Sequence, residues 1–491
     1  MQEAKKNVFM SIRQSRFITF LNKVISSPVG IAIIGISALL SNMFSLELAM
    51  YIFVGIFALY VCIFADDFLP LMPLFVFCYI ATSKNNNPAL STDTVFNNNS
   101  YLVIICILAV CLPVVFIRIG LDKNMGYKKL FTQKRKLVLG MLILGVAYML
   151  SGIGSQGYLS TVKNNLIFSA LQFLSIFLLY FIFSATIKWN KASKSYFAWF
   201  GVIMGIVVSL ELLNIYIVEG VVQNGEILRG RIDTGWGHYN NIGVLIAMSI
   251  PFAFYLACKK KHNYIYIILG TILLAALFLT CSRGSIVGGA FIYAVSFVFA
   301  FFKAENKKSY RITSAILIAL ATIIGIAFLD TLVKLFEKVP TIINSSNESL
   351  SFNDSSRFKI YKEGFNAFLK YPIFGESFYP KDFVPYDWSI IESFSSLIPP
   401  RWHNTIIQIL ASCGLVGMLA YSFHRFQTIK LFVKKRNLEK TFIGLSIAVL
   451  LITSLLDCHF FNIGPTLFYS MALVFAEKIN SEDEKTEETN K

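Results

Sequence analysis

Apolar blocks recur along the whole chain, from residues 28–44 to 464–475, with polar or basic stretches between them. Most approach the roughly 20 residues that a helix needs to cross a hydrocarbon core of about 30 Å. A water-soluble domain carries about a quarter charged residues. This chain carries 15%, against 56% hydrophobic, and its mean hydropathy is +0.63. In lipid every backbone polar group must be paired within the protein, so a segment of this kind crosses as a helix. The blocks therefore predict an all-α, polytopic transmembrane bundle of about 14 spans.

The basic residues fix the expected orientation. Of 44 Lys and Arg, 31 fall on one set of alternate loops, 5 on the short opposite loops and 8 on one long loop. This is the positive-inside bias, which accounts for the net charge of +16 without any nucleic acid partner. Both termini are then cytoplasmic. Residues 1–27 form a basic N-terminus, with no small-residue cleavage site before a short apolar core. Residues 28–330 hold spans 1–11, residues 331–403 a large extracytoplasmic loop, residues 404–476 spans 12–14, and residues 477–491 an acidic tail. The eight cysteines show no CxxC spacing and none lies in the long loop, so the loop is not a disulfide scaffold.

Within that loop, Phe358, Tyr361, Phe365, Phe368 and Leu369 recur at helical spacing. Asp354 is suited to cap this helix, and Pro372 and Gly375 to stop it. Such an amphipathic helix can lie at the lipid interface with its apolar face down.

The chemistry falls on the outer face. Arg229, Arg231, Arg283, Arg357 and Arg401 are expected there, close to span ends. Guanidinium groups bind phosphate oxygens two at a time and stay charged when partly desolvated, so this set suits the diphosphate of a lipid-linked donor. His403 stands where the loop re-enters an apolar helix, and an imidazole, with an ordinary pKa of about 6.5, can take a proton from a hydroxyl at neutral pH. Asn404 could orient that ring or bind the acceptor. His238, Asn240 and Asn241 are candidates to line a sugar site. Glu211, an acid inside an apolar span, should face the bundle interior, since facing lipid costs roughly 2.5–3.5 kcal/mol or more. Asp354, Asp382, Asp387 and Glu392 are scattered, so no metal site and no cofactor are expected. His262 and His424 are placed on cytoplasmic loops.

Four stretches also carry a family resemblance. His403-Asn404, nine residues, then Gly414-Leu415-Val416-Gly417 resembles the His-Asn-x9-Gly-x-x-Gly pattern of the O-antigen ligase-like superfamily. Residues 231–243 (RIDTGWGHYNNIG), residues 280–284 (TCSRG), and Ser356-Arg357 through Pro372 and Gly375 match in the same order. The likeness covers residues 211–421. That superfamily includes O-antigen ligases, Wzy-type polysaccharide polymerases, teichuronic acid polymerases and protein O-oligosaccharyltransferases. The resemblance implies a GT-C-type membrane glycosyltransferase, metal-independent and inverting. Its donor would be a glycan on undecaprenyl diphosphate. The acceptor would be a second glycan, lipid A-core or protein on the outer face of the bacterial cytoplasmic membrane, with a chain-length regulator protein as a possible partner. Among its members a polymerase is preferred over a ligase. A flippase of lipid-linked oligosaccharide is the rival from another class; interrupted helices or paired ionisable residues at mid-membrane would mark it.

Overall fold

A computed structural model describes residues 15–44, 46–81, 100–121, 135–187, 191–218, 220–223, 226–234, 237–327, 354–380, 402–434 and 436–489. They form sixteen α-helices, which include every apolar block read from the sequence. Five are long and apolar enough to cross a membrane: Tyr158–Thr186, Ser195–Val218, Tyr239–Lys259, Arg283–Lys303 and Thr405–Val433. The Arg16–Ile25 and Pro28–Met43 helices, bent by 70° at their junction, make a sixth if counted as one span. Leu48–Phe64, Ala109–Gly120, Val138–Met149 and Asn263–Leu279 are shorter apolar helices. The architecture is a helical membrane bundle. Its departures from helix among the described residues include two tiny antiparallel hairpins, Val222–Gln223 with Glu226–Ile227 and Asp233–Thr234 with Gly237–His238.

The bundle is organised around the Tyr239–Lys259 helix, whose residues 242–258 are all buried. An all-round apolar helix can face lipid or protein; here the Lys191–Val218, Asn263–Leu279, Arg283–Lys303 and Leu438–Thr453 helices enclose it. Lipid tails are as apolar as leucine, so close van der Waals packing at small residues holds such helices together. A Cβ on Gly205 would lie 2.6 Å from Ser249 Cβ, and one on Gly243 would lie 2.7 Å from Ser285 Cβ. The second contact draws the start of this central helix onto the start of Arg283–Lys303.

The Thr405–Val433 helix is broken at Gly414, whose φ of +61° and ψ of −156° are not helical. A break inside a span strands backbone groups that lipid cannot satisfy. The segment after the Asp354–Lys370 helix supplies the partners: Glu376 N–H donates to Ala411 O (2.7 Å) and Ser377 N–H to Ser412 O (3.2 Å). In return, Leu415 N–H donates to Pro372 O (2.8 Å) and Val416 N–H to Ile373 O (3.1 Å). Gly375 and Gly414 are the points of closest approach, where a Cβ would meet backbone atoms at 2.3–2.4 Å. Gly414 thus makes the break.

One placement differs from the sequence reading. His424 belongs to the broken helix, not to a cytoplasmic loop; it is buried and its Nε2 lies 3.0 Å from Tyr469 OH. Arg118, near the end of the Ser100–Leu121 helix, is buried and donates to Val61 O (2.7 Å), Cys62 O (3.0 Å) and Ala65 O, closing the end of the Glu47–Phe64 helix. In the Asp354–Lys370 helix the large aromatics lie mostly on the exposed side, and small residues meet the protein. Gly364 and Ala367 are buried and Ile360 and Tyr361 half-buried, while Phe358, Phe365 and Leu369 are exposed. The small residues let the helix approach Trp402 and Ile407: a Cβ on Gly364 would lie 3.0 Å and 2.6 Å from them.

Candidate active site

His403 and Asn404 lie immediately before the broken helix. Asn404 caps it, its Oδ1 accepting from Ile406 N–H (2.9 Å) and Ile407 N–H (3.1 Å), and its Nδ2 donates to Leu455 O at 2.8 Å. Capping satisfies two of the orphan donors of a helix start. The Asn404 side chain is therefore committed to the backbone, and Thr405 N–H donates to Ser454 O at 2.9 Å. These bonds lash the His403 boundary to the turn that ends the Leu438–Thr453 helix.

That turn supplies Asp457, a residue the sequence reading did not select. His403 Nδ1 is 3.3 Å from Asp457 Oδ1. The same oxygen accepts from Cys458 N–H at 2.7 Å, and Oδ2 accepts from Asn240 Nδ2 at 2.7 Å. Burial by itself would raise the Asp457 carboxyl. The hydrogen bond from His403, the charges of His459 and His403, and the Cys458 amide outweigh it and hold the group well below the usual carboxylate range. An ionised carboxylate only accepts hydrogen bonds. Nδ1 of His403 therefore carries a proton, and in the neutral ring Nε2 is left with the lone pair. The His403 side chain is 37% exposed against 10% for Asp457, so the ring is held from behind and open in front.

Asn240 passes the contact on. Its Oδ1 accepts from the Ser282 hydroxyl at 2.8 Å, and the Ser282 and Ser285 hydroxyls are 3.0 Å apart. Three stretches far apart in sequence, around Asn240, Ser282 and His403, thus meet through one carboxylate. The other predicted residues divide. Asn241 accepts from Asn462 Nδ2 beside this group. His238 caps the central helix, with its ring against Tyr239. Arg283 is the first residue of the Arg283–Lys303 helix, next to Ser282, and is exposed. Arg231 is half-buried and donates to Gly220 O at 3.2 Å within the hairpin loop. Glu211 is buried and accepts from Asn42. The side chains of Arg229 and Arg357 and the whole of Arg401 lie outside the described residues.

Asp457 had a signal in the sequence. It is the one acid in a short turn between two apolar blocks, on the same expected face as His403. Among the described residues no three His, Cys, Asp or Glu side chains gather closely enough to hold a metal ion.

A helical membrane protein with a carboxylate-backed histidine at the mouth of a span is the class that fold and site define. Residues 267–422 match the family model described as O-antigen ligase. The match places this stretch, which includes Ser282, Arg283, His403 and the broken part of the helix, in the O-antigen ligase-like superfamily. It supports a membrane glycosyltransferase of the ligase and polymerase type. No curated protein matches the chain.

Proposed function

We propose that the protein is a polysaccharide repeat-unit polymerase of the Wzy type. It would act on the outer face of the bacterial cytoplasmic membrane through about 14 spans, moving a glycan from undecaprenyl diphosphate to a hydroxyl of a second lipid-linked glycan. The observation that carries the reading is the His403–Asp457 pair at the water-to-apolar boundary. With Nδ1–H directed at Asp457, Nε2 takes the proton of the acceptor hydroxyl as its oxygen attacks the anomeric carbon. The bond from that carbon to the diphosphate oxygen breaks, and its electron pair leaves with the diphosphate. Attack opposite the leaving group inverts the anomeric centre. Asp457 stabilises the imidazolium that forms, in the manner of the acid behind the histidine of a catalytic triad.

The departing diphosphate needs countercharge rather than a proton. Arg283 beside Ser282 is the nearest candidate in sequence to the His403 group, with Arg231, Arg229, Arg357 and Arg401 as further cations of the same face. The reading therefore assigns no metal and no cofactor. Asn240 keeps a role through Asp457, while Asn404 is taken up in capping and Glu211 by Asn42.

A ligase transferring finished glycan to lipid A-core or protein uses the same site. A transporter was expected to show an interrupted helix, and the break at Gly414 is one. Its open backbone groups, however, are bonded to residues 372–377. The deciding experiment compares surface glycan and lipid-linked intermediates in a deletion strain, complemented with wild type or His403→Ala. Single repeats left on lipid or on the acceptor, rescued only by wild type, are expected. Long unattached polymer on lipid would indicate a ligase. Unflipped intermediates, or full rescue by His403→Ala, would overturn the reading.

A further inference from the structure

His403 has a left-handed backbone, with φ of +47°. In that region Cβ crowds the following carbonyl oxygen, so a residue other than glycine stays there only when its surroundings hold it. Two side chains outside the His403–Asp457 pair do the holding. Tyr361, from the Asp354–Lys370 helix, donates its hydroxyl to His403 O at 3.1 Å. Gln408, 2% exposed in the broken helix, accepts from Trp402 N–H at 3.0 Å. Its Nε2 donates to Ser412 Oγ at 3.0 Å, next to the break, and its Oε1 lies 3.4 Å from Cys458 Sγ, beside Asp457. Trp402 is buried among Ala367, Ala411, Ile360 and Ile407, so the residue before His403 cannot swing.

We propose that Tyr361 and Gln408 are positioning residues for the transfer reaction. They fix the left-handed turn at His403, so that one edge of the ring meets Asp457 and the other faces substrate. The amphipathic loop helix, which brings Tyr361, is then part of the active site. It is tied to the broken helix twice: through His403 O, and through the segment 372–377 that fills the break. This inference rests on His403 as the base. A bracing role alone predicts loss of stability with no change in how the ring is presented.

Tyr361→Phe removes one hydroxyl and keeps the ring. A hydrogen bond of this kind contributes about 1 kcal/mol, so kcat should fall about fivefold. Donor KM should stay within about twofold, because the diphosphate contacts are intact, and the melting temperature should fall by no more than about 2 °C, the loss of one hydrogen bond with the packing kept. Gln408→Met keeps the volume, removes the acceptor for Trp402 N–H, and should act in the same direction. A readout independent of turnover is the rate at which diethyl pyrocarbonate modifies His403, followed by mass spectrometry, with exposed His262 as internal reference. Both variants should change the His403 rate and leave that of His262 alone. The proposal is overturned if Tyr361→Phe keeps wild-type kcat, or if the His403 modification rate is unchanged while kcat falls. Full activity in His403→Ala would instead sink the reading of His403 as base, and the modification rates would still report whether the two side chains set its geometry.

Discussion

Asp457→Asn separates charge from shape. The aspartate accepts three hydrogen bonds: from His403 and Cys458 on one oxygen, and from Asn240 on the other. An asparagine of the same size can keep its oxygen toward His403 and Cys458. Its NH2 then meets the NH2 of Asn240, and the conflict is resolved if Asn240 turns over and donates to Ser282, whose hydroxyl then points to Ser285 at 3.0 Å. In that arrangement the fold survives and only the charge behind the imidazolium is lost. A bond to a charged group contributes about 1.5–3 kcal/mol against about 1 for a neutral one. The difference, up to about 2 kcal/mol, is roughly 30-fold in rate. If the new NH2 turns toward His403 instead, the ring takes the opposite tautomer, Nε2 carries the proton and the base is gone. A tautomer error of this kind costs on the order of 10⁴ in a histidine–aspartate hydrolase. The expected kcat loss therefore runs from about twofold to 30-fold if only the charge is lost, up to about 10⁴-fold if the tautomer changes. Donor KM should change little, because Asp457 touches no candidate cation in the site. The assay is glycan transfer from a lipid-linked donor by protein in nanodiscs. A well-folded Asp457→Asn enzyme with undiminished kcat would refute the argument. The same carboxyl makes a pH prediction. Its folded pKa is depressed, so its contribution to stability is fully present above the ordinary carboxylate range, near 4. That contribution is lost only as pH falls through the depressed value. Melting curves of wild type and Asp457→Asn should thus differ above about pH 5 and converge only in stronger acid.

Gly414→Ala should accumulate little folded protein in size-exclusion and melting assays. It places a Cβ 2.4 Å from Ile373 O at a φ/ψ pair that only glycine adopts readily, a strain of about 1–3 kcal/mol before the clash is counted. Arg283→Ala should raise donor KM and lower kcat by about 10²-fold, and Arg283→Lys should recover only part, since an ammonium cannot make the planar two-point contact. Normal donor binding by Arg283→Ala would remove this residue from the diphosphate site. A cysteine at Asn306, between the Arg283–Lys303 and Lys307–Ala327 helices, should resist impermeant label in intact spheroplasts. Labelling from outside would invert the orientation and move His403 to the wrong face.

The helices were legible because hydropathy is a property of segments, and a segment buried in lipid shows the same composition wherever it packs. Their neighbours were not. The sequence marks the Tyr239–Lys259 helix as apolar, but so are many others. What makes it the centre is that Gly205, Gly243 and Gly289 on other faces of the packing let helices close on it, a relation between residues far apart. The loop helix was legible as an amphipathic element, but not the face by which it meets the protein. Large aromatics at helical spacing ordinarily mark the packed face, yet here Phe358, Phe365 and Leu369 are exposed and Gly364 and Ala367 make the contact. Close approach to Trp402 selects small side chains, and these carry little weight in a hydrophobic pattern.

At the site, the residues with reactive groups were easier to find than the residue that organises them. His403 stands out by its position at a boundary. Asp457 follows only from counting passes: the chain leaves along Thr405–Val433, returns along Leu438–Thr453, and must turn on the face it left, 54 residues after His403. Thr405 N–H bonded to Ser454 O is the direct trace of that return. Asn240 and Ser282 meet this group too, each at the start of a helix. A carboxylate placed where these starts converge collects donors from all of them, and that is the environment in which it stays ionised while buried. Glu211 fails the same test. It lies within a helix rather than at a turn and accepts from Asn42 inside the bundle, which is the setting of a structural hydrogen bond.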